Sequence, residues 1–574
     1  MTWGKRRAII IVVTIAFLVV CVWAASKPPR LPSNSVLVID AAGVIEEQRP
    51  NDFLSALNGN KEPVLHEYLD AVDQARSDPR VDGLVVRIGP LQTGWGKLEE
   101  IRSHLINFRT SGKPEICYLG HDGVGNPEYY LATACDKIWL VPTDPLSIHG
   151  MMAEALFLRG TLDKLRIVPE FYHIAEYKTA PNVFTEKKFT PAHKEEVETL
   201  LRSVYGQYLA DASQARNMDR AKFESLLNRG PLLASEAVEN KLVDRLAYWD
   251  QVQAFFKEKH GWNPISLGRY RTFLRSGSGP EIALVQATGL IVSGSSENTP
   301  GGGFVMGGDS VAADLRKARE DSSIKAIVLR IDSGGGSAVA SEVIRREVEL
   351  AKAKKPVVVS MSDVAASGGY WIAMDANKIV ADANTITGSI GVLTGKFNIS
   401  GLFSLLGMST DYVATSDNAT LYSDQQNFTP AQKANIQKSL DDTYANFTKG
   451  VAAGRSAAGR KMSPEDVDKI GKGRVWAGGR AKELGLVDEI GGLDRAIQLA
   501  KQLAHIPASE SVHIVRLPEE RTFLQILLER EKDQFGETRS SDATLDAPLD
   551  TTLRRLVRTM EPVQARIPFE LRIR

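Results

Sequence analysis

The sequence predicts an α/β protein made by tandem duplication, with one membrane-crossing helix ahead of the two copies. Three observations lead there: a long uncharged apolar run behind basic residues, a self-similarity at a fixed offset, and short apolar runs alternating with helical patterns in each copy.

The apolar run comes first. Ala8 to Ala25 (AIIIVVTIAFLVVCVWAA) carries no charge, and as a helix rising ~1.5 Å per residue it spans roughly 27 Å, close to the hydrocarbon thickness of a bilayer. Lys5, Arg6 and Arg7 precede it, so the positive-inside bias places residues 1–7 in the cytoplasm and everything after Ser26 on the far side. The apolar core of a cleaved signal peptide is usually only ~7–15 residues, so the run is expected to remain as an anchor. Val19-Val20-Cys21 lacks the small residues that precede a lipidated cysteine.

The repeat is the second element. At 574 residues, 43% hydrophobic, the chain exceeds one ordinary domain. DGLVVRIG (Asp82 to Gly89) matches KAIVLRID (Lys325 to Asp332), and YYLATACDKIWLV (Tyr129 to Val141) parallels YWIAMDANKIVAD (Tyr370 to Asp382). KKFTPAHKEEVETLL likewise parallels QNFTPAQKANIQKSL, and NKLVDRL (Asn240 to Leu246) parallels LGLVDEIGG (Leu484 to Gly492). The offset stays at about 240 residues through all four blocks. The two domains are expected at 36–272 and 281–506, joined by a Ser/Gly/Pro-rich linker at 273–280. Residues 507–574 form a charged tail with helices expected at Phe523 to Phe535 and Thr552 to Met560, and with no chemistry that its residues name.

Within each copy, Val/Ile/Leu-rich runs such as Ala326 to Ile331 and Pro356 to Met361 lack alternation, which suits strands of a parallel sheet buried on both faces. Helical patterns such as Val339 to Ala353 supply the crossovers. Seventy basic and seventy acidic residues cancel, and no long single-sign run appears, so no nucleic-acid partner is expected. Cys21, Cys117 and Cys135 have no CxxC spacing, which argues against a metal site and against a disulfide framework. Cys117 and Cys135 are the one pair that could bond, but both sit in apolar stretches and are expected as core thiols.

The chemistry gathers in the second copy. The strand at Pro356 to Met361 runs into SDVAASGGYW, placing Ser367 ahead of Gly368 and Gly369 where a helix should begin. Such a corner exposes a hydroxyl and turns backbone N–H groups toward developing negative charge; the alternative role for this serine is an N-cap. The preceding strand enters Asp332-Ser333-Gly334-Gly335-Gly336-Ser337, a loop whose glycines permit close backbone approach. A serine hydroxyl needs a base, yet none of the nine histidines falls in a motif with an acidic partner. Aligning the copies at Tyr172 and Tyr412 sets Lys178 of YHIAEYKTA over Asn418 of YVATSDNAT, while the first copy lacks both a counterpart of Ser367 and the glycine loop. The losses are complementary.

AASGGYWIAM, the glycine loop followed by SEVIRREVE, ITGSIGVL (Ile386 to Leu393), MGGDS (Met306 to Ser310) and AEYKTA together resemble motifs of the signal peptide peptidase A family in its long form, over roughly residues 1–506. The resemblance implies two Clp-protease/crotonase-like domains and a membrane-anchored serine endopeptidase that cuts cleaved signal peptides and other hydrophobic peptides through an acyl-enzyme. It implies Ser367 as nucleophile, Lys178 as general base, an oxyanion hole from Gly368 with Gly335 or Gly336, and Ser389 orienting the lysine. It also implies a homotetramer at the bacterial inner membrane with its catalytic domains on the periplasmic side, and neither cofactor nor metal. The other readings are a scaffold that lost its activity and a crotonase-type acyl-CoA enzyme. One departure stands out: Asp332 and Gly334 replace the Asn and Pro usual in the family's loop, and loss of the proline is expected to loosen it.

A lysine base makes a physical demand. Its free pKa of ~10.4 must fall to ~7–8, a drop worth roughly 4 kcal/mol, and burial in an apolar cleft between the domains is the expected source. Glu176 would oppose the drop, so its side chain is expected to point away from Lys178.

Overall fold

The computed structural model describes residues 31–49, 62–121, 123–259, 261–298, 304–519, 564–566 and 572–573. The anchor expected at 8–25 and the tail helices expected at 523–535 and 552–560 lie outside the described residues. Among the described residues no helix is long and apolar enough to cross a membrane.

The Val/Ile/Leu runs form the strands. The first half contributes β1 (Ser35–Gly43), β2 (Val81–Leu91), β3 (Glu115–Leu119), β4 (Lys137–Leu140), β5 (Ala153–Glu154), β6 (Val168–His173), β7 (Arg245–Leu246) and β8 (Asn263–Ser266). The second opens with β9 (Glu281–Thr288), β10 (Leu290–Val292), β11 (Glu297–Asn298), β12 (Phe304–Gly307), β13 (Ile324–Ser333), β14 (Gly335–Ser337) and β15 (Val357–Ala366). It continues with β16 (Lys378–Ala381), β17 (Ile386–Gly388), β18 (Leu393–Asn398), β19 (Val475–Ala477), β20 (Glu489–Ile490), β21 (His513–Leu517), β22 (Gln564–Arg566) and β23 (Arg572–Ile573).

The duplication is visible in the sheets. The first half orders its strands β7-β4-β3-β2-β1-β8, all parallel. The second half repeats this as β20-β16-β15-β13-β9-β21, again all parallel. Fully buried runs such as Leu84–Val86 and Ile327–Leu329 lie in the middle of each sheet, as the absence of alternation requires. Residues 274–280 join the halves without helix or strand. A third sheet, β11-β12-β10-β14-β22-β18-β6, draws strands from both halves and from the tail.

Two expectations are corrected. Cys117 and Cys135 form a disulfide, with Cα atoms 5.6 Å apart; Cys117 lies in β3 and Cys135 just ahead of the adjacent β4, so parallel pairing of these strands brings the two thiols together. The glycine loop is not loose. Gly335–Ser337 is itself a strand, and Asp332, the residue in place of the family's asparagine, binds Lys97 of the first half at 2.8 Å and accepts from Val364 N–H at 3.2 Å. Burial pulls the Lys97 ammonium down, but Asp332 and Asp363 outweigh it and hold the charge.

Lys97 belongs to a polar seam between the halves. The helix Trp95–Phe108 of the first half starts on Asp363 of the second, whose carboxylate accepts from Lys97 N–H (2.8 Å) and Gly94 N–H (3.2 Å). Deeper in, Arg330 of β13 donates to both oxygens of Glu47 (3.1 and 2.8 Å) and both of Glu100 (3.0 and 2.6 Å), and to the hydroxyls of Ser360 and Ser362. All three charged residues are buried. Burial pushes the Glu47 carboxyl up, but Arg330 and Lys97 override this and hold it at about 2. Removing one partner of a buried ion cluster costs more than the cluster contributes, because the remaining charge stays buried. Arg330→Met is therefore expected to destabilise the chain by about 3–5 kcal/mol, read as a lower midpoint in denaturant unfolding; a shift worth under ~1 kcal/mol would show that the seam relaxes around the lost charge.

Candidate active site

Ser367 turns the corner between β15 and the helix Gly368–Ala373 with φ 57° and ψ −113°. A non-glycine residue there stores ~1–3 kcal/mol of strain. The corner is held by Ser367 N–H donating to Gly388 O and by Trp371 N–H donating to Ser367 O, both at 2.8 Å. The N-cap role is not taken, because the side chain does not cap the helix. Its Oγ lies instead 2.7 Å from Lys178 Nζ of the same chain.

Lys178 arrives from the other half. β6 pairs antiparallel with β18 in six register pairs, from Val168 opposite Asn398 to His173 opposite Leu393, and the chain then dips into the second half. Tyr177 N–H donates to Lys472 O at 3.2 Å. Gly473, at φ 83°, leaves room for the lysine: a methyl there would stand 2.6 Å from Lys178 Cβ, and one on Gly391 would stand 3.3 Å from its Cδ. Lys178 and Ser367 are both 0% exposed.

Three oxygens surround Nζ: Ser367 Oγ, Ser389 Oγ at 3.0 Å and Ser389 O at 3.3 Å. A neutral amine has two N–H donors and one lone pair. With the N–H groups given to the hydroxyl and carbonyl of Ser389, the lone pair remains to accept the Ser367 O–H. Ser389, like Ser367, has positive φ (50°), and its N–H donates to Arg474 O at 2.7 Å. Burial pulls the Lys178 ammonium down to about 7, against the pull of Glu196.

Glu196 is the residue that sequence reading missed. Glu176, the carboxylate expected to turn away, does so and faces Lys472 at 3.5 Å. Glu196 sits on the helix Pro191–Ala215, fully buried, and accepts from Val475 N–H (2.7 Å) and Thr179 Oγ1 (3.1 Å). It thereby ties the residue after Lys178 to β19, the strand that pairs with β17 beside Ser389. Burial pushes its carboxyl up to about 8. A signal was present: Glu196 falls four residues before Leu200 and eight before Val204, on the apolar stripe of its helix.

The glycines converge on the same space. A methyl on Gly368 would lie 3.0 Å from Gly335 Cα and 3.1 Å from Gly336 N, so the helix start and β14 touch backbone to backbone. Gly335, at φ 95°, already donates its N–H to Ser333 Oγ (3.1 Å), and that hydroxyl donates to Gly289 O at 2.6 Å.

Comparison with known proteins places the chain in a family. The chain matches peptidase family S49 over residues 107–263 and 349–507. It is 33% identical to the chloroplastic serine protease SPPA of Arabidopsis thaliana, over 87% of this chain and 73% of that one. It is 34% identical to Protease 4 of Salmonella typhi, over 87% of this chain and 82% of that one. Protease 4 of Haemophilus influenzae is 32% identical over 83% of this chain and 80% of that one.

Lys178 and Glu196 are both buried, and each favours the charged form of the other. In Glu196→Gln the lysine loses a neighbour that favours its charged form, so its apparent pKa, followed by carbon NMR of labelled lysine, is expected to fall below the wild-type value. An unmoved titration would show that Glu196 keeps its proton while Lys178 loses its own.

Proposed function

The chain belongs to peptidase family S49 and is a serine protease, and on that premise we propose that Ser367 is its nucleophile, Lys178 its general base, and cleaved signal peptides and other hydrophobic peptides its substrates. The observation that carries this reading is the 2.7 Å contact between Ser367 Oγ and a buried lysine whose ammonium is pulled down to about 7.

The proton inventory balances. Neutral Lys178 takes the Ser367 proton as Oγ bonds to the peptide carbonyl carbon, and the resulting ammonium returns that proton to the leaving amine as the C–N bond breaks. A water molecule then attacks the acyl-enzyme, giving its proton to Nζ, and as the ester bond breaks to release the acid the ammonium returns that proton to Ser367 Oγ. The oxyanion would be met by Gly368 N–H together with Gly336 N–H, since Gly335 N–H is engaged by Ser333. Ser389 holds Nζ aimed during both transfers.

The working location follows from the sequence. The run at 8–25 with Lys5, Arg6 and Arg7 ahead of it would tether the chain to the bacterial inner membrane and leave both halves on the periplasmic side. The Cys117–Cys135 disulfide supports an oxidising compartment. Exposed Leu405, Leu406, Met408, Tyr412, Val413 and Tyr422 give an apolar surface of the kind that subunits of the proposed homotetramer would cover.

On a fluorogenic hydrophobic peptide, Ser367→Ala is expected to abolish turnover and Lys178→Ala to lower kcat by about 10²–10⁴-fold; wild-type turnover in either would overturn the pairing. Because only the neutral amine accepts the proton, kcat/KM of the wild type is expected to rise with pH through about 7 and to be lost below it. Placement at the membrane is checked by alkaline extraction and by protease access from the periplasmic side: release into the soluble fraction would refute the anchor.

A further inference from the structure

β6 ends at His173, and within five residues the chain must turn to bring Lys178 against Ser367. Just past the strand, Ile174 N–H donates to Val392 O at 3.1 Å. The backbone is next fixed at Tyr177, whose N–H donates to Lys472 O at 3.2 Å. Between these two points it turns through Ala175, which stands at φ 63°.

In the left-handed region an L-amino-acid side chain crowds its own backbone, and glycine or asparagine is the usual occupant. Alanine has neither glycine's freedom nor asparagine's side chain to bond the turn, so the conformation must be held from outside. His173 holds it: its Nδ1 lies 2.8 Å from Ala175 O. A carbonyl oxygen only accepts, so Nδ1 carries the proton and donates it. Burial favours the neutral ring by pulling the His173 imidazolium down, and the Lys178 ammonium adds to this, against the bond to Ala175 O. The neutral ring therefore has its single N–H committed to the turn.

The clamp belongs to the strand. His173 sits opposite Leu393 in the pairing of β6 with β18, so the register that brings the chain across also sets the imidazole beside Ala175. On the far side of the turn the lysine backbone has little room: a methyl on Gly473 would stand 2.5 Å from Lys178 N. An error at Ala175 is thus passed along a short, closely packed arm to Nζ, which lies 2.7 Å from Ser367 Oγ.

We propose that His173 is a positioning residue for the lysine: its Nδ1–H bond to Ala175 O locks the left-handed turn that sets the reach of Nζ toward Ser367. The proposal rests on the reading of Lys178 as general base. His173 acts through the lysine and takes no proton in the reaction.

The test uses the full chain and a fluorogenic hydrophobic peptide. His173→Leu removes the donor, and kcat is expected to fall about tenfold with KM within about twofold of wild type, because a misaimed base slows proton transfer and leaves peptide binding alone. His173→Asn places an amide N–H as many bonds from the backbone as Nδ1 and is expected to keep kcat within about twofold of wild type. Adding Ala175→Gly to His173→Leu is expected to restore most of the lost kcat, since glycine takes the left-handed turn unaided. Wild-type kcat in His173→Leu, an asparagine variant as slow as the leucine one, or a double variant with no recovery would each overturn the proposal. Nitrogen NMR of the histidine-labelled wild type reads the clamp apart from activity. The His173 signal, assigned by its loss in His173→Asn, is expected to show a protonated Nδ1 and a bare Nε2; the reverse tautomer would overturn the clamp. Should the wild type neither turn over peptide nor take a fluorophosphonate label on Ser367, the dyad itself fails, and the nitrogen signal still decides whether His173 holds the turn.

Discussion

Everything at the site depends on the antiparallel register of β6 on β18. Six consecutive pairs fix it, and a slip of one residue would turn every side chain of β6 to the opposite face. Lys178 is delivered at the end of that strand, so the 2.7 Å approach of Nζ to Ser367 Oγ is a consequence of strand register rather than of local loop chemistry. The pairing also explains how the lysine is desolvated. It is carried out of its own half and set, fully buried, among the backbone glycines 391 and 473 of the other. Taking a cation out of water costs several kcal/mol; the lysine avoids most of that cost by giving up its proton.

The half without Ser367 is more than a lysine carrier. Its helix Trp95–Phe108 supplies Lys97 to Asp332, and Glu100 both to Arg330 and to Leu493 N–H at the start of another helix of the second half. The glycine loop carries Gly334 where a proline would stiffen it through the unfolded chain. In its place it has a charged tether from the partner half and a hydroxyl, Ser333, that bonds on both sides. Stiffness that the sequence lacks locally is provided by packing.

Much of this was legible in the sequence. Long unalternating apolar runs announced buried parallel strands, a fixed offset announced two copies, and a family resemblance, sharpened by complementary gaps between the copies, pointed to Ser367 and Lys178. What stayed hidden was of three kinds. Glu196 reads as one acid among several in KEEVE, and only its phase with Leu200 and Val204 marks it as buried. Cys117 and Cys135 are separated by 18 positions, and their proximity follows from two strands lying side by side, which no local pattern encodes. β14 and β22 are three residues each; such strands exist because neighbours complete them, and a glycine-rich turn or a proline-flanked tail carries no period to read.

The third sheet also bears on how this architecture can change over generations. With β6 built into a sheet whose other members belong to the second half and the tail, the two halves are not two domains on a string. A gene split at residues 274–280 would yield two polypeptides, one exposing an unpaired β6 and the other an open edge at β18, each with a charged seam facing solvent. Neither fragment could be inherited usefully without the other. The crossing of one strand thus makes the two halves mutually dependent, so that neither fission of the chain nor loss of one half would leave a complete sheet.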